Sequence, residues 1–204
     1  MARWLQTLTL TAAALALPAA SADTLTVNGT ADDFLKLYVT TDLGNPGAVL
    51  FDKTSGWGST GSTTLSLQPG QSVYLLIDAN NTGGPGMFIA DFSLSGGDLR
   101  FANGLTTLTT DTTHWTVSQT SFAAATQAPV SMGQNLPGLA IWGQRTDISS
   151  AATAIWAYNA DWANGVPGHA YFVTQITAPV PEPATGLLWL AGAGVLAARR
   201  RRAR

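Results

Sequence analysis

Side chains that could carry catalysis are few in this sequence. There is no cysteine, which excludes thiol nucleophiles, thiolate metal sites and disulfide bridges. The two histidines are His114, next to a tryptophan, and His169, in a Pro-Gly-His stretch that predicts a turn. Neither accompanies a recognisable nucleophile motif, and the two do not have the spacing of a metal-binding pair. We therefore expect surface or hydrogen-bonded histidines and no zinc site.

The sequence also offers no clear pair of carboxyl groups for catalysis. Glycoside hydrolysis needs two carboxyl groups, one of them an acid with a raised pKa. Glu182 is the only glutamate and lies near the C-terminus, so a pair would have to consist of two aspartates. Asp32 and Asp33 are adjacent, and in one strand they would point to opposite faces. We expect no catalytic residues and no enzyme activity, with a small glycoside hydrolase as the least favoured alternative.

One segment has the spacing of a cation-binding loop. Asp78, Asn80 and Thr82 offer oxygen atoms at alternate positions and are followed by glycine, as in the first half of a calcium loop. Ile89 stands where a bidentate glutamate would be expected, so an ordinary Asn/Gly loop is the alternative. The sequence predicts no cofactor other than, on this hypothesis, a structural calcium ion.

Two tryptophans have neighbours that fit sugar binding, which needs a flat aromatic face ringed by planar polar groups. Trp57 lies between glycines, and Trp162 is accompanied by Asp161 and Asn164. These four residues are the candidate ligand-binding set, with local packing as the alternative for both tryptophans. The remaining tryptophans that stand in apolar or alternating segments are predicted to be core residues: Trp115, Trp142 and Trp156.

The central part of the chain is acidic. Residues 23–179 contain eleven aspartates against four lysines and arginines, a formal charge of −7. Nucleic-acid binding requires clustered cations on the protein surface. The composition therefore excludes nucleic acid as an expected partner.

The N-terminus has the parts of a secretory signal peptide. Arg3 is followed by an apolar stretch at 5–17, and Ala20 and Ala22 form a small-x-small cleavage pattern. This order predicts a removable segment at 1–22 that is handled by the export translocon and signal peptidase. A buried helix is the alternative reading.

The C-terminus, residues 180–204, also consists of three parts. Pro181, Glu182 and Pro183 precede an apolar stretch at 184–198, and an arginine cluster follows: Arg199, Arg200, Arg201 and Arg202. As a helix the fifteen apolar residues would span about 22 Å, less than the bilayer core of about 30 Å. Positive charges are retained on the cytoplasmic side, so the central domain is predicted to lie outside.

This tail resembles the PEP-CTERM protein-sorting signal. The resemblance implies that an exosortase-type enzyme cuts near Pro-Glu-Pro, and that the protein is associated with exopolysaccharide. It also implies transient anchoring by the C-terminal helix, followed by residence at the cell surface or in the extracellular matrix. A permanent membrane anchor is the alternative.

Between the two ends the sequence predicts one all-β domain, residues 23–179. Period-two alternation at 33–41 and short apolar runs are separated by Gly, Pro and Asn turns, and no long segment has helical periodicity. The other predicted strands are 48–53, 63–67, 72–79, 87–95 and 115–118, and the further apolar segments are 139–142, 152–158 and 171–177. Many short strands favour a jelly-roll-like β-sandwich, flanked by the signal helix and the C-terminal transmembrane helix.

Several stretches are similar to motifs of galactose-binding-like domains: 31–39, 67–74, 83–90, 110–115 and 154–157. The resemblance implies a jelly-roll sandwich and carbohydrate recognition. The expected function is that of an exported, non-catalytic binding module for glycan or exopolysaccharide. The alternative is a structural matrix component that has the same fold and no ligand.

Overall fold

The computed structural model describes residues 21–139, 141–157 and 168–179. These ranges contain a three-residue 3-10 helix at Phe122–Ala124 and twelve β-strands. The strands are β1 Asp23–Asp32, β2 Phe34–Thr40, β3 Phe51–Lys53, β4 Gly61–Leu67, β5 Val73–Asn81, β6 Met87–Ser95, β7 Arg100–Phe101, β8 Thr107–Thr109, β9 Thr116–Ser118, β10 Val130–Gln134, β11 Thr153–Trp156 and β12 Gly168–Thr177.

The strands form two antiparallel sheets. The first has the order β10-β11-β6-β1-β4, with β8 also paired to β6. The second has the order β3-β2-β5-β12-β7, with β9 also paired to β12. The prediction of an all-β sandwich is confirmed. Within the described ranges, no helix has the length and apolar character needed to cross a membrane, and the predicted membrane segment at 184–198 lies outside those ranges.

The core lies between the sheets because alternate residues of each strand point inward. Leu25 and Val27 of β1 belong to the same buried cluster as Leu35 of β2 and Ile77 of β5, and all four are fully buried. Aromatic rings add directional contacts, with the Phe88 ring centroid 5.1 Å from Phe172 and 5.6 Å from Trp115. The three tryptophans predicted to be core residues are buried as expected.

Some local predictions were wrong. Strand β1 was not predicted, because its outward-facing threonines and Gly29 weaken the hydrophobic signal. Gly29 fits there because a Cβ atom would lie only 3.0 Å from that of Ala90 on the neighbouring strand β6. Strand β10 lies in a stretch predicted as loop, and the apolar segment at 139–142 forms no strand in its described residues. His169 lies in β12 and not in a turn, because β12 extends three residues further than the apolar run.

The chain enters and leaves the sandwich at one end, and His169 lies at the opposite end. Strand β1 begins at Asp23, which pairs with Leu67, and the backbone N–H of Ala178 donates to Ser72 Oγ at 2.9 Å. The described chain therefore enters and leaves the domain beside the turn at 68–72. Strand β12 runs from the opposite end of the sandwich, so His169 lies about 26 Å along the strand from Thr177.

Candidate ligand-binding site

Polar and aromatic side chains are grouped on the outer face of the second sheet. Alternation along β2, β5 and β12 sends one set of residues into the core and the other set outward. The antiparallel register then places Phe34, Asn80 and His169 side by side in one row. The next row contains Asp52, Lys36, Asp78 and Tyr171. We call these seven residues the polar–aromatic face.

His169 has a fixed orientation on this face. Its Nδ1 atom lies 2.6 Å from Asp78 Oδ1, and its ring is stacked on Tyr171 with 5.6 Å between centroids and 10° between planes. The other ring nitrogen, Nε2, has no hydrogen-bond partner among the described residues. A hydrogen-bonding atom therefore remains available at the surface in a defined direction.

The polar–aromatic face contains a cavity of about 240 Å³. Its lining combines an aromatic ring, two carboxylates, an amide, an ammonium, an imidazole and a hydroxyl: Phe34, Asp52, Asp78, Asn80, Lys36, His169 and Thr54. Nearby, burial and the negative charge of Asp78 raise the pKa of the phenols of Tyr38 and Tyr171 above its ordinary value. Such a lining can hold a small polar ligand by hydrogen bonds and by contact with an apolar surface.

Two wider depressions elsewhere have simpler linings. One, of about 460 Å³, lies beside β6 and β8, and its single charged residue is Asp91. The Asp91 carboxylate already accepts hydrogen bonds from Asn28 Nδ2 and from the backbone N–H of Ser149. The other, of about 440 Å³, lies between β2 and β4 and contains no charged residue. The small cavity on the polar–aromatic face is therefore the better candidate for recognition of a polar ligand.

The predicted calcium ligands separate into two places. Asp78 and Asn80 both lie in strand β5 and contribute to the cavity. Thr82 follows the strand and donates its backbone N–H, at 2.9 Å, and its hydroxyl to Asp33 Oδ2. Among the residues that the structure describes, no three His, Asp or Glu side chains are grouped to hold a metal ion. Calcium binding stays a prediction.

Trp57 has several intramolecular contacts. The Arg145 guanidinium carbon lies 5.7 Å from the centroid of the Trp57 ring, and Arg145 also donates to the Trp57 carbonyl at 3.1 Å. Trp57 is partly buried against the core and does not line the cavity described above. The other predicted ligand contacts, Asp161, Trp162 and Asn164, lie outside the described residues. Ligand contact by these four residues stays a prediction.

The carboxyls of Asp32 and Asp33 lie close enough to shift each other's pKa. The expectation that they point to opposite faces of one strand was wrong, because β1 ends at Asp32 and the chain crosses to the second sheet there. Asp32 Oδ2 accepts from Trp142 Nε1 at 2.8 Å. Burial, together with Asp33, raises the pKa of Asp32 to about 6. Burial acts in the same direction on Asp33, but hydrogen bonds from Thr82 and Asp32 outweigh it and lower the pKa of Asp33.

Each histidine ring is hydrogen-bonded to an aspartate through its Nδ1 atom. His114 Nδ1 lies 2.8 Å from Asp111 Oδ2, which confirms a hydrogen-bonded histidine there. In the described part of the chain, no hydroxyl group is hydrogen-bonded to either imidazole ring. The absence of catalysis stays a prediction.

The sequence prediction missed most of the polar–aromatic face. It selected Asp78 and Asn80 for calcium and left Phe34, Lys36 and His169 without a ligand-binding role. The available signal was the alternation within each strand, which puts Phe34 and Lys36 on one side of β2. That signal does not say which strands become neighbours.

Comparison with known proteins identifies the C-terminal tail. Residues 179–202 match the family model described as the PEP-CTERM protein-sorting motif. The chain carries a PEP-CTERM sorting motif. No curated protein and no solved structure matches the chain, so the resemblance of the β domain to galactose-binding-like domains stays a prediction.

The PEP-CTERM motif indicates an exported protein that an exosortase sorts at the membrane. The motif begins at residue 179, directly after the residue whose backbone is bonded to Ser72. The cavity, in contrast, lies beside His169 at the other end of β12. The polar–aromatic face is therefore remote from the point at which the sorting motif joins the domain.

Proposed function

We propose that this chain is an exported, non-catalytic surface or extracellular-matrix protein whose β domain binds glycan, such as exopolysaccharide. The observation that carries the proposal is the cavity lined by Phe34, Asp78, Asn80 and His169 on the polar–aromatic face. A sugar ring needs an apolar surface for its C–H groups and polar side chains for its hydroxyls. The lining supplies both.

The position of the cavity supports binding during and after sorting. The tail joins the domain at the end that carries Ser72, whereas the cavity lies at the end that carries His169. A domain held at the membrane by its tail would keep this face available to extracellular polymer. Removal of the tail by an exosortase would then leave the binding face unchanged.

The binding proposal is tested with the exported protein, purified from the producing cells and applied to a polysaccharide pull-down and a glycan array. Wild-type protein is expected to bind, and the double variant F34A/H169A to lose most of the binding while remaining folded. Variant T64A is the matched control, because Thr64 is exposed on the other sheet. Equal binding by wild type and F34A/H169A would contradict the assigned site.

Two alternatives remain for the domain. A purely structural matrix component of the same fold would bind none of the polysaccharides, and wild type would behave like F34A/H169A. A glycan site at Trp57 and Trp162 would be revealed if W57A/W162A lost binding and F34A/H169A retained it. A small hydrolase would release reducing sugar from a polysaccharide that it binds.

The processing proposal concerns both ends of the chain. Strand β1 begins at Asp23, the first residue after the predicted signal-peptidase cut, which supports removal of 1–22 after translocation. Intact-mass measurement of protein recovered from the extracellular fraction is expected to give an N-terminus at Asp23 and a C-terminus near Pro183. Recovery with the arginine cluster at 199–202 still attached would favour a permanent anchor.

A further inference from the structure

We propose that the cavity on the polar–aromatic face accepts an uncharged sugar ring and rejects sugars that carry a carboxylate or a sulfate group. This inference rests on the proposed function, because it names the ligand class of the same site. It follows from the order of charges across the sheet, from the hydrogen-bonding groups and from the size of the cavity.

Acidic sugars are disfavoured by two carboxylates. In the register of the second sheet, Asp52 and Asp78 are the neighbours of Lys36 on its two sides. The cavity lining has two aspartates, one lysine and no arginine, the residue best suited to bidentate carboxylate binding. A uronate would meet like charges in the cavity and in a domain whose formal charge is −7.

The position of Lys36 lowers the attraction for cationic amino sugars. Its strand position between Asp52 and Asp78 puts a positive charge between the two carboxylates that would otherwise attract an ammonium group. One ammonium against two carboxylates still leaves the cavity lining with an excess of negative charge. These charges therefore disfavour acidic sugars only, and binding of a cationic sugar is an outcome of the test.

Hydroxyl groups match this arrangement because each one both donates and accepts. The carboxylates of Asp52 and Asp78 accept, Lys36 donates, and the Asn80 amide does both. Phe34 supplies the apolar surface. The cavity, at about 240 Å³, is smaller than the roughly 300–1,000 Å³ of sites for drug-sized ligands, so it fits one sugar ring at a time.

Titration of the exported protein with three kinds of polysaccharide tests the inference. The probes are neutral polymers (a dextran, a mannan and a galactan), the uronate polymer alginate and the amino-sugar polymer chitosan. We expect at least one neutral polymer to bind, with affinity that changes less than about twofold between about 50 and about 500 mM NaCl, since uncharged ligands are not screened. Alginate is expected to bind at least about tenfold more weakly, a difference of about 1.4 kcal/mol.

Variant D52N connects this selectivity to the cavity. Asp52 is exposed at the edge of the sheet, so its replacement leaves the fold intact. We expect D52N to bind the neutral polymer about tenfold more weakly, through loss of a charged acceptor, and alginate no more weakly than wild type does. T64A, on the other sheet, should match wild type with all probes.

The outcomes separate the inference from the proposed function. Salt-sensitive preference for alginate or for chitosan would overturn the neutral-sugar assignment and leave glycan binding standing. Neutral binding that is unchanged in both D52N and F34A would overturn the assignment of this cavity. Failure of every polysaccharide to bind would overturn the proposed function together with the inference.

Discussion

The Nδ1 atom of His169 lies 2.6 Å from Oδ1 of Asp78, although 91 positions separate the two residues in the chain. The pair joins β12 to β5 and leaves Nε2 of the ring without a hydrogen-bond partner among the residues that the structure describes. Tyr171 supports the same ring by stacking. This contact lies on the outer face of the sheet, so it can be altered without disturbing the core.

The first prediction concerns the polar atoms of that ring. Variant H169F keeps an aromatic ring for stacking on Tyr171 and removes both nitrogens. Glycan affinity is expected to fall about tenfold, the value of one hydrogen bond to a polar or charged group, while the melting temperature changes little. Isothermal titration calorimetry with a polysaccharide that the wild type binds measures this affinity. Q175A is the control, because Gln175 is exposed on the same strand near its other end. Full affinity in H169F would show that the nitrogens make no ligand contact.

The second prediction concerns pH and the Asp32–Asp33 pair. The pKa of Asp32 is raised from 3.8 to about 6, so the folded state holds this proton more tightly than the unfolded state does. Protonated Asp32 therefore makes its full contribution to the free energy of unfolding below pH 3.8, and this contribution is lost as the pH rises through about 6. In D32N, the amide can accept from Trp142 and donate to Asp33 without ionising.

We therefore expect D32N to melt a few degrees above wild type near pH 8, with the difference disappearing near pH 4. Thermal denaturation followed by circular dichroism at the two pH values measures this. D98N is the control, because Asp98 is exposed and makes no hydrogen bond through its carboxylate among the described residues. A constant difference between D32N and wild type at all pH values would rule out ionisation of Asp32 as the cause.

The third prediction concerns close packing at Gly86. A Cβ atom there would lie 2.3 Å from Cε2 of the buried Trp156 ring, which cannot move aside without disturbing the core. G86A is expected to lower the free energy of unfolding by about 1–3 kcal/mol, as overpacking does. Gly83 has no atom within 4 Å of the equivalent position, so G83A should change stability by less than about 0.5 kcal/mol. Equal urea midpoints for the two variants would contradict the clash.

The fourth prediction concerns Trp57. W57A removes a ring that packs on the core and lies under the Arg145 guanidinium. We expect a loss of stability of about 1–3 kcal/mol, with about 0.5–1 kcal/mol of it from the cation–π contact. A double-mutant cycle with R145A separates the two parts. Glycan affinity should stay at the wild-type value; its loss in folded W57A would transfer the ligand site to the Trp57 loop.

The linear features of this protein could be identified from sequence alone. The sorting tail is a contiguous string, Pro-Glu-Pro followed by an apolar stretch and arginines, and its match at 179–202 confirms it. Strand β6 was predicted with its observed bounds, and β2 and β5 within one or two residues. These predictions hold because period-two alternation and the composition of a sorting signal are local properties.

The site and the sheet order depended on tertiary structure. Strand alternation could place Phe34 and Lys36 on one face of β2, but only the pairing of β2 with β5 and of β5 with β12 brings them beside Asp78 and His169. The meeting of Asp32 with Trp142 likewise depends on contacts between residues 110 positions apart. The choice of strand partners and their register results from burying one shared core, a long-range condition that no short window of sequence contains.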